Sequence, residues 1–257
     1  MIIEDLKLLK LQGKQFIPDV TKASIPGIFR GRPVISKEKV DMDSLIKLCP
    51  TGAIFSLPIG EGQGGAIDLG KCVFCGECAL AFPNKIKFTT DYKIATNDYK
   101  NLIISEGEEK SIELNPDLIR KEISEYFSGS LKLRQISAGG ENSNELELNA
   151  CGNVNFDMGR FGIEFVASPR HADGIVITGP ISENMAEATQ LCYDATPDPK
   201  IIVLAGSDAI SGGIFAGSPA LKREFISKYK IDLYVPGNPV HPLTFINGIL
   251  ELIRKRK

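Results

Sequence analysis

Cysteine recurs at every third position in Cys72-Val73-Phe74-Cys75-Gly76-Glu77-Cys78, and Cys49 stands upstream in front of Pro50. No other feature constrains the chain as much. Thiolates at that spacing can wrap three corners of a cubane, and the small Gly76 eases the turn between them. Four of the six cysteines lie within thirty residues, while Cys151 and Cys192 stand alone. The first residues, Met1-Ile2-Ile3-Glu4-Asp5-Leu6, place acids where a secretory leader would want bases, so a cytoplasmic chain is expected. Disulfides are disfavoured in that compartment, and the clustered thiols call for another explanation.

A cubane needs a fourth thiolate. In two-cluster bacterial ferredoxins it comes from the other motif and is followed by proline. Cys49-Pro50-Thr51-Gly52-Ala53-Ile54 supplies it here. A second complete motif would need a cysteine before Pro83, where the chain has Phe82, and three upstream of Cys49, where there are none. The absences remove one whole cluster and leave the other whole. The expectation is one [4Fe–4S] cluster on Cys49, Cys72, Cys75 and Cys78. Tetrahedral zinc on the same four thiolates is the alternative. Three cysteines at successive triplets, with no histidine nearby, favour the cubane.

The rest of the 257 residues is ordinary for a globular protein: 43% hydrophobic, 24% charged, 30 basic against 32 acidic side chains. That balance excludes a disordered chain and gives no field pointing to nucleic acid. The basic end, residues 254–257, reads as a solvated helix end. No apolar run approaches the ~18–20 residues of a membrane span. The glycine-rich stretch 60–65 matches neither a Walker A loop nor a dinucleotide fingerprint and reads as a hairpin or loop. A short helix is expected over 42–48. Another is expected from Asn115-Pro116 to Ser128-Gly129, with Asn115 as its cap. Beyond it, extended runs at 131–136, 162–167, 174–179, 201–206 and 231–235, with helices over 182–193 and 242–254, predict a parallel sheet with helices on its faces. The fold expected is thus an α+β ferredoxin-like domain followed by an α/β domain with a mostly parallel, flavodoxin-like sheet. The divisions are an extension (1–36), the ferredoxin-like domain (37–114), a linking helix (115–129) and the α/β domain (130–257).

Phe29-Arg30-Gly31-Arg32-Pro33, the Cys49 segment, Asp68 to Cys78 and Phe88 to Ala95 resemble the ferredoxin-like subunit of energy-converting hydrogenases and formate hydrogenlyases. Members carry two cubanes, so the chain departs by having ligands for one. Phe156-Asp157-Met158-Gly159-Arg160-Phe161-Gly162, Ser168-Pro169-Arg170-His171, Thr178-Gly179-Pro180, Ser211-Gly212-Gly213-Ile214-Phe215 and Tyr234-Val235-Pro236-Gly237 resemble the small subunit of those hydrogenases, the family of the 20 kDa subunit of NADH:ubiquinone oxidoreductase. That resemblance implies a further cluster next to a large subunit's active site. In register, its four ligand positions fall on Glu141, Asn144, Asp208 and Asn238, none of them cysteine. These oxygen-bearing side chains could hold a hard cation such as magnesium. A hydrogen-bonded polar plug is the plainer expectation. Cys151 and Cys192 fall at no ligand position. His171 reads as an interface residue or an ordinary hydrogen-bonded one, and His241 as part of a turn.

The leading functional expectation is an electron-transfer iron–sulfur subunit of a hydrogenase-like or complex I-like assembly, not a stand-alone enzyme. It would dock a large-subunit homologue and reach the inner face of the membrane only through that assembly. The alternative is a non-catalytic scaffold or redox-sensing regulator that keeps only the docking surface. A small-ligand binder at Glu141, Asn144, Asp208 and Asn238 is a third reading.

Overall fold

The computed structural model describes residues 2–13, 15–57, 64–109 and 111–253. Residues 60–63 of the glycine-rich stretch and the basic end at 254–257 lie outside the described residues. Helix α1 (Ile2–Gln12) opens the chain. Two β-α-β units follow: β1 (Pro33–Ile35), α2 (Met42–Leu48) and β2 (Ile54–Ser56), then β3 (Gly65–Asp68), α3 (Glu77–Ala81) and β4 (Ile86–Phe88), with β5 (Ile103–Ser105) after them. The outer strands β1 and β4 pair antiparallel, as do the inner strands β2 and β3, and β5 adds to β3. Helix α2 forms where expected because Asp41 caps it, its carboxylate accepting the N–H groups of Asp43 and Ser44. Strands β2 and β3 form a hairpin closed by Leu57 N–H on the Gly64 carbonyl at 3.0 Å.

The expected linking helix is interrupted. Asn115 does cap its start, accepting from Asp117 N–H, but only a 3₁₀ turn, Pro116–Leu118, follows. Arg120 is extended (φ −65°, ψ 139°), and helix α4 covers only Lys121–Tyr126. The guanidinium of Arg120 forks onto both carboxylate oxygens of Asp232 at 3.0 Å each, a partner 112 residues away in sequence. Helical periodicity cannot register such a pull.

The second half has the five expected strands and the two expected helices, and adds three short helices that the sequence did not announce: β6 (Leu131–Ser137), α5 (Ser143–Ala150), β7 (Ile163–Phe165), β8 (Gly174–Thr178), α6 (Glu183–Ala195), β9 (Ile201–Ala205), α7 (Ser207–Ser211), α8 (Glu224–Lys228), β10 (Leu233–Val235) and α9 (Pro242–Ile253). Its five strands are all parallel, in the order β10-β9-β8-β6-β7. Every residue of β8 and β9 is buried, which is why those strands read as unbroken apolar runs. The direction of winding reverses between β6 and β8, the switch point beyond whose strand ends open parallel sheets hold their ligands.

Side chains alternate across this sheet. Leu131, Leu133, Val176 and Val203 pack on one face with Phe245, Ile246 and Ile249 of α9. Ile175, Ile177, Ile202 and Leu204 belong to a second apolar cluster that continues into Ile54, Ile67, Leu69 and Leu102 of the first half. Burying each such side chain contributes about 1.5–3 kcal/mol, so the two halves share stabilisation through this cluster. Among the described residues, no helix is long and apolar enough to cross a membrane.

Candidate functional site

Cys49 ends α2, Cys72 and Cys75 lie on the loop after β3, and Cys78 sits in the first turn of α3. All four line one pocket whose walls include Ala53, Ile54, Ile67 and Phe88. The loop wraps because two residues take the left-handed region, Phe74 at φ 52° and Gly76 at φ 87°. The Arg30 guanidinium donates to the Phe74 carbonyl and holds that turn. Backbone donors point at two of the sulfurs: Ala53 N–H to Cys49 Sγ at 3.2 Å and Phe74 N–H to Cys72 Sγ at 3.4 Å.

Burial pushes the Cys72 thiol up to about 12, with the charges of the other three cysteines adding to it. Burial pushes Cys78 up to about 11, with Cys75 adding most after it. Free thiolates are thus disfavoured at Cys72 and Cys78, and a bound metal would take the place of their protons. Among the described residues, no three or more His, Cys, Asp or Glu side chains converge tightly enough to hold a single ion. A cubane has a different requirement, one thiolate on each of four separate irons. The donor set of four cysteines, two of them accepting backbone N–H bonds, fits that group.

Several supporting residues had no role assigned to them from the sequence. Asp68 accepts from Gly70 N–H at 2.8 Å and from the Tyr99 hydroxyl at 2.9 Å, bracing the start of the cysteine loop. Burial pushes both the Asp68 carboxyl and the Tyr99 hydroxyl up. Tyr99 packs edge-on against Tyr234, ring centroids 5.5 Å apart. Ser207, fully buried, donates from Oγ to the Cys72 carbonyl at 3.0 Å and to the Gly237 carbonyl at 3.2 Å.

The other four expected positions all sit on the crest of the parallel sheet. Glu141 follows β6, Asn144 lies in the first turn of α5, Asp208 in the first turn of α7, and Asn238 follows β10. Ser207 N–H donates to the Gly237 carbonyl at 2.9 Å, setting the loops of Asp208 and Asn238 side by side. Asn144 is buried, and its Oδ1 accepts from Val240 N–H at 2.9 Å. Its side chain fills the space beside Gly206, where a Cβ would meet it at 2.6 Å. Glu141 is exposed and accepts from Ser143 N–H at 2.9 Å.

Asp208 is only 2% exposed, yet its Oδ1 has no hydrogen-bond partner, and neither has the buried Oδ1 of Asn238. The polar plug expected from the sequence therefore describes Asn144 but not Asp208 or Asn238. Burial first, then the charge of Glu141, pushes the Asp208 carboxyl up, and Arg223 opposes this. Glu145, unnoticed in the sequence, adds its charge to Asp208 and accepts from the Thr178 hydroxyl at 2.7 Å.

Cys151 is fully buried in the apolar cluster around α9, and Cys192 on α6 packs partly buried against the other cluster. His171 is exposed on a 3₁₀ turn. His241 precedes α9, and its Nδ1 accepts from Leu243 N–H at 3.2 Å.

Residues 142–252 match the family described as NADH ubiquinone oxidoreductase, 20 Kd subunit. A probable membrane-bound hydrogenase subunit of Pyrococcus furiosus is 33% identical over 120 residues, 47% of this chain and 72% of that one. The B subunit of NADH-quinone oxidoreductase from Bacteroides thetaiotaomicron is 41% identical over 113 residues, 44% of this chain and 57% of that one. The corresponding subunit of Heliobacterium modesticaldum is 43% identical over 111 residues, 43% and 63% of the two chains. The chain thus spans less than two thirds of the length of those two B subunits. A solved chain of the membrane-bound sulfane sulfur reductase, an archaeal respiratory membrane complex, is 30% identical, covers 49% of this chain and 69% of its own length, and superposes with a TM-score of 0.42. On its α/β half, with that parallel sheet, the chain belongs to the family of the 20 kDa subunit of NADH:ubiquinone oxidoreductase.

Proposed function

We propose that the chain is an electron-transfer subunit of a hydrogenase-like or complex I-like assembly and holds one [4Fe–4S] cluster on Cys49, Cys72, Cys75 and Cys78. The gathering of these four thiols in one pocket carries the proposal. A bound cubane would supply reversible one-electron storage. The protein's own part is to orient and to insulate. Arg30 holds the turn at Phe74, the Ala53 and Phe74 amides direct partial positive charge at two sulfurs, and the apolar walls exclude water.

The pairing of β1 with β4 and of β2 with β3, each pair formed across two β-α-β units, favours a ferredoxin-like reading of residues 37–114. Glu141, Asn144, Asp208 and Asn238 carry no thiol, so on this reading the small-subunit-like part, residues 130–257, brings no cubane of its own. Its place in the assembly would be to dock a large-subunit homologue. The relatives named as hydrogenase and NADH-quinone oxidoreductase subunits support that partnership.

The test is anaerobic purification with iron and sulfide counts and EPR during a redox titration. About four irons with a reversible one-electron signal is the expected result. Stoichiometric zinc, or a protein that takes up no iron on reconstitution, would overturn it. A large-subunit homologue retained through purification would identify the assembly.

A further inference from the structure

Asp208 Oδ1 and Asn238 Oδ1 are buried acceptors with nothing to accept from, and they stand on adjoining loops of the sheet crest. A buried polar atom left unsatisfied is destabilising, and its persistence asks for a missing partner. Both atoms are oxygens. Beyond burial, the charges acting on Asp208 are those of the Glu141 and Glu145 carboxylates, which push its carboxyl up, and of the Arg223 guanidinium, which opposes them. Arg223 is committed to backbone, donating to the carbonyls of Pro180, Asp208, Ala209 and Ile210. Acidic groups thus outnumber the one cation around Asp208, a balance that suits a hard divalent ion.

We propose that this crest is a binding site for one hard divalent cation of the magnesium or manganese kind, held by Asp208, Asn238 and Glu141. One or two carboxylates, an amide oxygen and retained waters are the usual shell of such an ion, so three converging acids are not required. Glu145 contributes charge rather than a bond, since its Oε1 already accepts two hydroxyls, those of Ser137 and Thr178, whereas each Glu141 oxygen accepts one bond from Ser143 and keeps a lone pair for the ion. Asn144 is a positioning residue, its Oδ1 occupied by Val240 N–H. Gly213, at φ 54°, leaves Asp208 Oδ1 uncrowded, because a Cβ there would collide with that oxygen. The site shares no ligand with the four cysteines. Ser207, which bonds the Cys72 carbonyl, ties the two regions together.

Manganese(II) is the probe. Titrated into the anaerobically reconstituted full chain, it is followed by loss of the EPR signal of the free ion. The expected result is one equivalent bound and displaced by excess magnesium, with affinity falling about tenfold or more in Glu141→Gln and in Asp208→Asn. Glu141 is exposed, so its variant tests the site even where Asp208→Asn fails to fold. Cys75→Ser, which removes a proposed iron ligand, should bind manganese as the parent does. The cation site and the cluster thus stand or fall separately. No binding at millimolar manganese, or equal affinity in the parent and Glu141→Gln, would overturn the proposal.

Discussion

Ser207 Oγ lies 3.0 Å from the carbonyl oxygen of Cys72 and donates to it, joining the crest of the parallel sheet to the loop that carries Cys72 and Cys75. The same hydroxyl reaches the Gly237 carbonyl at 3.2 Å. One buried side chain thus pins together the two halves of the molecule and the turn that carries Asn238.

Ser207→Ala deletes the shared donor and leaves the Cys72 carbonyl unsatisfied. Loss of such a buried bond costs about 1–3 kcal/mol. The urea midpoint of the anaerobic protein should fall accordingly, and an unchanged midpoint would show that the junction is held by apolar contact alone.

The cysteines should separate into two groups by iron content. Cys75→Ser should lose the cubane signal, because an exposed edge ligand cannot be replaced by its neighbours. Cys192→Ser, on α6 and not among the residues that line the pocket, should retain about four irons. Iron and sulfide assays on both variants decide this, and full iron in Cys75→Ser would count against the ligand set.

His241 should make the protein less stable as pH falls. Burial lowers its pKa below the ordinary 6.5, and Nδ1 is occupied as an acceptor from Leu243 N–H at the start of α9. The folded state then binds its proton less readily than the unfolded chain. Its stabilising contribution is complete above 6.5 and is lost as pH falls through the lowered folded value. The pH slope of unfolding from this group reaches at most about 1.4 kcal/mol per unit. His241→Asn keeps a capping acceptor and removes the slope. Urea unfolding of parent and variant at several pH values checks the difference.

Arg223→Ala should be among the most damaging single changes in the α/β half. Four carbonyls, those of Pro180, Asp208, Ala209 and Ile210, would lose a charged donor in a buried setting. A loss of about 3 kcal/mol or more is expected, read as a lowered thermal midpoint. Arg223→Lys should recover only part of it, since an ammonium cannot reproduce the planar fork.

Residues close in sequence carried most of what could be read in advance. The cysteine triplets, the Asp41-capped helix and the apolar runs of β8 and β9 owe their form to neighbours within a few positions, and such order is written in spacing and composition. The family resemblance located the crest positions Glu141, Asn144, Asp208 and Asn238. What became of them depended on tertiary structure. Asn144 found Val240 N–H, while Asp208 Oδ1 and Asn238 Oδ1 found nothing. The break at Arg120 needed Asp232, and the cysteine loop needed Ser207. Each of these outcomes turns on whether a polar group buried by one segment meets a partner brought by another. Burial and partnership across a hundred residues are settled only when the sheet closes, because until then water satisfies every donor and acceptor alike.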